Sequence, residues 1–202
     1  LEYLELVGDD DEGQEQLGQR LAALHRHTQP RFGWRRDNTI GSTPQPNTEH
    51  AEWVEFWRAQ RLNHQLALAA HNGHGRALDT RGARLAERLG DFFTDYLPAP
   101  SLLHGDLWSG NYGVLADGEP VVFDPAVYYG DREADLAMTE LFGGFGPRFY
   151  ATYDAAWPRD PGYAVRKHLY NLYHVLNHLN LFGGSYLAQA VRLIDGLLSE
   201  VR

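Results

Sequence analysis

Apolar residues recur at helical spacing along most of this chain, and the period changes to that of a strand in one place, after Pro98 and Pro100. Upstream, Leu17, Leu21, Ala22 and Leu24 mark a helix ending at His25. Its start is read at the Asp9-Asp10-Asp11-Glu12 cluster, because carboxylates favour the positive end of a helix dipole. Glu49 to His71 carries Trp53, Phe56, Trp57 and Leu66 at the same spacing. A further helix through Leu85, Leu89, Phe92, Phe93 and Tyr96 is stopped by the two prolines. Between the first two helices, Thr28 to Asn47 holds Pro30, Gly33, Gly41, Pro44 and Pro46 and reads as a long irregular connection. After Pro100, Tyr112–Leu115 and Pro120–Phe123 flank Asp117-Gly118, the signature of a β-hairpin. Helical patterns resume over residues 133–142, 147–157, 162–182 and 185–201; the third has a continuous apolar face of Leu169, Leu172, Tyr173, Leu176 and Leu179. The expected fold is mostly α with a small β-hairpin embedded midway.

Composition removes several functions. A chain of 202 residues suits one substantial core. The net charge of -9 argues against non-specific binding of nucleic acid, which depends on Lys and Arg neutralising phosphates. No run approaches the ~18 apolar residues of a membrane span, and the first residues are acidic rather than signal-like, so no membrane partner is expected. The absence of cysteine excludes disulfides, thiolate zinc sites and cysteine nucleophiles, and fits a cytoplasmic location.

The densest polar constellation is His104-Gly105-Asp106-Leu107-Trp108-Ser109-Gly110-Asn111, between a helix end and the first hairpin strand. A second carboxylate, Asp124, directly follows the apolar strand Val121-Val122-Phe123. Closing the hairpin brings Asp106, Asn111 and Asp124 to its open end, with two oxygen ligands for a hard cation such as Mg²⁺ and one spare carboxylate. Singly, each has an ordinary structural reading as an Asx turn or a helix cap. Together they match the His-x-Asp-x-x-x-x-Asn loop and strand-end Asp of protein kinases, in which the first Asp accepts the substrate proton and the others hold magnesium. Gly105 stands where the kinase loop has arginine, and Pro125 where it has phenylalanine, which points toward small-molecule kinases of that fold.

The loop from His104 to Asn111, the stretch Asp124–Met138, Leu141-Phe-Gly-Gly-Phe145 and Tyr173–Gly184 closely resemble the fructosamine kinase (ketosamine 3-kinase) family, and Asp37–Asn47 is similar to it too. The resemblance implies an ATP-dependent kinase that phosphorylates a sugar hydroxyl of a ketosamine, free or on a glycated protein, and so permits deglycation. It implies that Asp106 is the catalytic base, Asn111 and Asp124 the Mg²⁺ ligands, and Trp108 a wall against the sugar, although a tryptophan beside such a loop is as often core. Asp135 would brace the loop, His104 would fix it by hydrogen bonding, and residues 1–8 would resemble the hinge between lobes, with Glu2 and Leu4 at the nucleotide. His174 and His178, i and i+4 on one helix, lack the glutamate of a zincin and read as a polar edge near the cleft.

A kinase of this architecture needs a strand lysine on the ATP phosphates. The lone lysine here, Lys167, falls inside a late helix, and the chain begins at Leu1 with its single methionine at Met138. Residues 9–202 are therefore expected to be the helical C-terminal lobe of a protein-kinase-like α+β fold, the β-rich N-terminal lobe being absent from the chain. Such a chain alone is expected to bind ATP poorly and turn over slowly or not at all. The alternatives are a kinase of the same fold acting on an aminoglycoside or choline-like alcohol, and a non-catalytic binding module.

Overall fold

Helix α7, Tyr163–Phe182, carries a continuous apolar face, and such a face is stable only when enclosed. A computed structural model, which describes residues 3–8 and 11–201, places it at the centre of the core, with Tyr170, Leu172, Val175 and Leu176 fully buried. Three helices pack on it: α3 (Asn63–His71), α5 (Glu133–Leu141) and α8 (Leu187–Glu200). Helix α4 (Gly75–Glu87) fills the space between α3 and α8. Helix α1 (Asp11–His25) lies against α6 (Pro147–Ala156). The α1–α6 approach is set by Gly18, where an added Cβ would stand 2.4 Å from the carbonyl oxygen of Phe149. Asp9 and Asp10, which the sequence reading put at the start of α1, lie outside the described residues.

The β structure is more extensive than one hairpin. The expected hairpin forms from β5 (Tyr112–Leu115) and β6 (Pro120–Val122), but β1 (Leu6–Val7) pairs with β5 and makes the sheet three-stranded in the order β1-β5-β6. Strands β4 (Ser101–Leu103) and β7 (Tyr128–Gly130) form a second antiparallel sheet, with Leu103 opposite Tyr128. A third, β2 (Asn38–Ile40) with β3 (Thr43–Gln45), turns at Gly41, whose φ is +56°. The expectation of a helical C-terminal lobe with a single hairpin, lacking a β-rich N-terminal lobe, is corrected here. Three small sheets are woven through the helices, and the first strand belongs to the same sheet as the hairpin. Two- and three-residue strands carry too few side chains to show an alternating pattern, so the period of the sequence could not reveal them.

The connection 28–47 is likewise not irregular. Its polar residues reach inward: Gln45 and Asn47 are fully buried. Gln45 donates from Nε2 to the Ala126 carbonyl at 3.0 Å and accepts from the Tyr173 hydroxyl at 2.7 Å. Helix α2 (Trp53–Phe56) continues through a π-helical stretch, Trp57–Leu62, into α3, and that stretch carries the buried Arg61. The Arg61 guanidinium lies 4.1 Å from the centre of the Tyr128 ring and donates to Asn47 Oδ1 at 2.7 Å and to the Pro46 carbonyl at 2.6 Å. A buried cation is tolerable only with such partners. These bonds hold the β2–β3 hairpin against the segment that follows Asp124.

Two glycine substitutions separate close approach from propensity. Gly18→Ala is expected to lower unfolding free energy by about 1–3 kcal/mol through overpacking at the α1–α6 crossing. Gly196→Ala, on α8 with nothing within 4 Å of the added Cβ, is expected to raise it by about 0.5–1 kcal/mol. Denaturant unfolding of both variants checks the opposite signs.

Candidate functional site

Strand β4 ends at Leu103, and the loop that follows crosses the segment linking β6 to β7. The crossing is so tight that a Cβ on Gly105 would stand 2.1 Å from the Ala126 carbonyl oxygen, and Gly105 adopts a φ of +84°. Both facts require glycine, which is why arginine cannot occupy this place in the loop. The backbone N–H groups of His104 and Gly105 both donate to the Asp135 carboxylate, at 2.8 Å each, one to each oxygen. Asp135 sits in the first turn of α5, where a carboxylate also meets the positive end of the helix dipole. Burial by itself would raise its pKa, but the bond and charge of His25, the His104 imidazole and the Gly105 N–H outweigh burial and hold it below the ordinary carboxylate range.

His25, which ends α1, was not singled out in the sequence. Its Nε2 is 3.2 Å from Asp135 and its Nδ1 2.8 Å from the Tyr153 hydroxyl, which also accepts from Arg132 at 3.1 Å. Nothing in the helical spacing distinguishes this histidine from a solvent-facing one. Its role comes from the α1–α6 contact.

His104 closes the other side of the loop. Its Nε2 donates to the Phe123 carbonyl at 2.9 Å, and its Nδ1 accepts from the Asp106 N–H at 3.3 Å. That pattern belongs to a neutral imidazole, and burial pushes the His104 pKa down accordingly. Asn111 donates from Nδ2 to the Asp106 carbonyl at 2.9 Å and more weakly to Asp106 Oδ2 at 3.5 Å, while its own carbonyl accepts from the Phe123 N–H at 3.1 Å. Asp106, Asn111 and Phe123, the residue before Asp124, are thereby tied into one unit. Asp124 is exposed and has a φ of +53°, a rare conformation for a residue with a side chain, held by the strand before it and the Gly105 crossing behind it.

The Asp106 carboxyl is pushed up to about 6, first by burial, then by the charge of Asp135 and less by that of Asp124, against the opposing bond from Asn111. It faces a cleft of about 390 Å³ that Trp108 also lines. Trp108 is 39% exposed, so the core reading of this tryptophan does not hold. Its ring lies over Gly110, where a Cβ would come within 2.3 Å of it. His174, on α7, is buried with Nδ1 3.9 Å from Asp106 Oδ1, and burial lowers its pKa to about 3. His178 lines the cleft, its Nδ1 bonded to the His174 carbonyl at 2.8 Å. Leu4 precedes β1 and is 36% exposed; Glu2 lies outside the described residues. Lys167 is engaged with Glu140 at 2.8 Å.

The donor set suits a hard cation. Asn111 uses its amide N–H on Asp106, leaving Oδ1 as an oxygen donor, and Asp124 presents its carboxylate outward. Among the described residues no group of three or more His, Asp or Glu side chains could hold a metal ion. Mg²⁺ does not need one, since it commonly takes one or two carboxylates and fills its shell with water and phosphate oxygens.

An aspartate and an asparagine five residues apart on a clamped loop, followed by a strand-end aspartate, form the loop pattern of the kinase-like folds. The chain belongs to the fructosamine kinase family: the family model described as "Fructosamine kinase" matches residues 1–200. A Synechocystis protein described as a "probable ketoamine kinase" is 50% identical over 199 residues, covering 98% of this chain and 66% of that protein. A protein-ribulosamine 3-kinase of Oryza sativa, described as chloroplastic, is 44% identical, covering 100% of this chain and 59% of its own length. A crystal structure from Haemophilus somnus, whose description names fructosamine-3-kinase, superposes with a TM-score of 0.89 at 30% identity, over 98% of this chain and 67% of that one. The chain thus spans about two thirds of the length of the relatives it matches. These matches also overturn the description of the chain as one lobe of the family fold, because the family model runs through the first residues as fully as through the last.

Asp135→Ala removes the acceptor of two buried N–H groups. Stability is expected to fall by about 1–3 kcal/mol for each donor left unpaired. Native-state hydrogen exchange at His104 and Gly105 checks this: both amides should lose protection beyond what the global destabilisation explains.

Proposed function

We propose that the protein transfers a phosphoryl group from ATP to a hydroxyl on the sugar part of a ketosamine, with Asp106 as the general base. The observation that carries this reading is the Asp106 carboxylate, raised to about 6 and held by the Asn111 amide, facing a cleft lined by the exposed Trp108. Membership of the fructosamine kinase family supports the acceptor class, and the relatives named ketoamine kinase and ribulosamine 3-kinase support the ketosamine.

In the proposed step Asp106 accepts the proton of the substrate hydroxyl as that oxygen bonds to the terminal phosphorus of ATP; the bond to the bridging oxygen breaks, and ADP leaves with the electron pair. Asn111 Oδ1 and the Asp124 carboxylate would hold Mg²⁺, which when bound neutralises charge on the phosphate oxygens. Trp108 offers a flat face to the sugar ring. His104 and Asp135 do no chemistry; they keep the Asp106 backbone in place, so that positioning is supplied before substrate arrives. Residues 1–8 are assigned to a hinge at the nucleotide, with Glu2 and Leu4 its contacts, and the cytoplasm is the compartment that fits a cysteine-free kinase.

The test is Mg-ATP-dependent phosphate transfer to a panel of ketosamines derived from fructose and ribulose, with Asp106→Asn alongside. The variant is expected to lose about 100-fold to 10,000-fold in kcat, the usual worth of a general base. For the parent, kcat/KM should fall about tenfold per pH unit below about 6, because the base must be ionised and protonates as pH drops through that value. Transfer to aminoglycosides or choline-like alcohols but not to ketosamines would reject the substrate assignment, and an Asp106→Asn variant as active as the parent would reject the base.

A further inference from the structure

The cleft is lined by more than Asp106 and Trp108. Phe142, His178, Phe182 and Tyr186 form an aromatic cluster on its walls, with ring centres 4.9 Å apart for Phe142–His178, 5.4 Å for His178–Phe182 and 5.2 Å for His178–Tyr186. Ile40, from the β2–β3 hairpin, and Leu181, from α7, face the same space. Phe182 is 66% exposed and Phe142 42%, large apolar surfaces left open to water at the mouth of a cleft rather than scattered over the molecule. His178 and Phe182 stand on α7, with the imidazole fixed by its bond to the His174 carbonyl, while Phe142 follows the end of α5 and Tyr186 ends a short 3-10 turn. Among the described residues Asp106 is the single carboxylate on these walls, and no Arg or Lys lines them.

A ketosamine has two chemically unlike ends, a polyhydroxylated sugar and the substituent on its amine nitrogen. With the sugar hydroxyl at Asp106 and the ring beside Trp108, the substituent is left to the aromatic cluster. We propose that this cluster is a subsite for an uncharged apolar substituent, so that the protein selects ketosamines of aromatic or branched apolar amines over those of free amino acids. The proposal rests on the ketosamine reading of the site. A carboxylate-bearing substituent would lose its hydration there, find no cation on the walls and be repelled by Asp106. An aromatic substituent would instead stack on Phe142, Phe182 and Tyr186, and the protonated amine nitrogen would meet ring faces that favour a cation.

The experiment compares two ketosamines of one sugar, derived from benzylamine and from glycine. The parent is expected to favour the benzylamine adduct by about tenfold in kcat/KM, through a lower KM, and Phe182→Ala and Phe142→Ala should each reduce that ratio by about fivefold, the worth of one ring contact. Equal kcat/KM for the two adducts in the parent, or a ratio unmoved by either substitution, overturns the subsite. If neither adduct is phosphorylated, the slow or absent turnover expected of this chain alone accounts for it, and binding decides in place of catalysis. Calorimetric titration of the two unphosphorylated adducts then decides the subsite without catalysis. Tighter binding of the benzylamine adduct, lost in Phe182→Ala, sustains it, and equal or absent binding overturns it.

Discussion

A single buried carboxylate, that of Asp135, ties the site loop to α1, α5 and α6 through hydrogen bonds. It receives the two backbone N–H groups that begin the site loop, from His104 and Gly105, and stands within hydrogen-bond distance of His25 at the end of α1. Through His25 it reaches Tyr153 of α6, and through Tyr153 it reaches Arg132 at the start of α5. An unpaired charge at this depth would cost several kcal/mol, so the carboxylate is tolerable only because its partners are all in place at once. The same condition makes the loop rigid. If α1 or α6 shifts, Asp135 loses a partner, and the loop loses its anchor.

Asp106 and Asp135 thus have opposite environments. Asp135 is held ionised by donors on every side, while Asp106, half-buried with few donors, is pushed up to about 6 partly by the charge of Asp135 itself. Titratable groups whose surroundings drive their pKa values apart are the usual sign of divided labour between support and chemistry. Here the support residue also raises the basicity of the group it supports, so that positioning and tuning have one source.

A second buried polar system adjoins the site at the Ala126 carbonyl. Arg61 stacks on Tyr128 and bonds to Asn47, and Gln45 links Tyr173 to the Ala126 carbonyl. These bonds fix the β2–β3 hairpin, which brings Ile40 and Gly41 to the cleft, and they fix the 124–127 segment that Gly105 crosses. Cleft wall and metal-ligand candidate are therefore set by the same core, and neither depends on a mobile element for its shape.

The long helices were legible because each repeats an apolar period over enough positions to exclude the alternative, and the hairpin 112–122 because Asp117-Gly118 marks its turn. The sequence also put Asp106, Asn111 and Asp124 at one end of the hairpin; the structure bonds Asn111 to Asp106 and to Phe123, the residue before Asp124. The short strands β1, β4 and β7, the ordered hairpin within 38–45 and the importance of His25 were not legible, because none rests on a local pattern: two- and three-residue strands have no period, and a polar side chain looks the same in sequence whether it meets water or a buried partner. What the sequence by itself determined is which residues are apolar, how they are spaced and which chemical groups stand on one loop. Only the tertiary structure decided which polar groups go inside, because the free energy of burying Asp135, Arg61 or Gln45 depends on partners that are distant along the chain and that appear only when the helices and small sheets have closed around them.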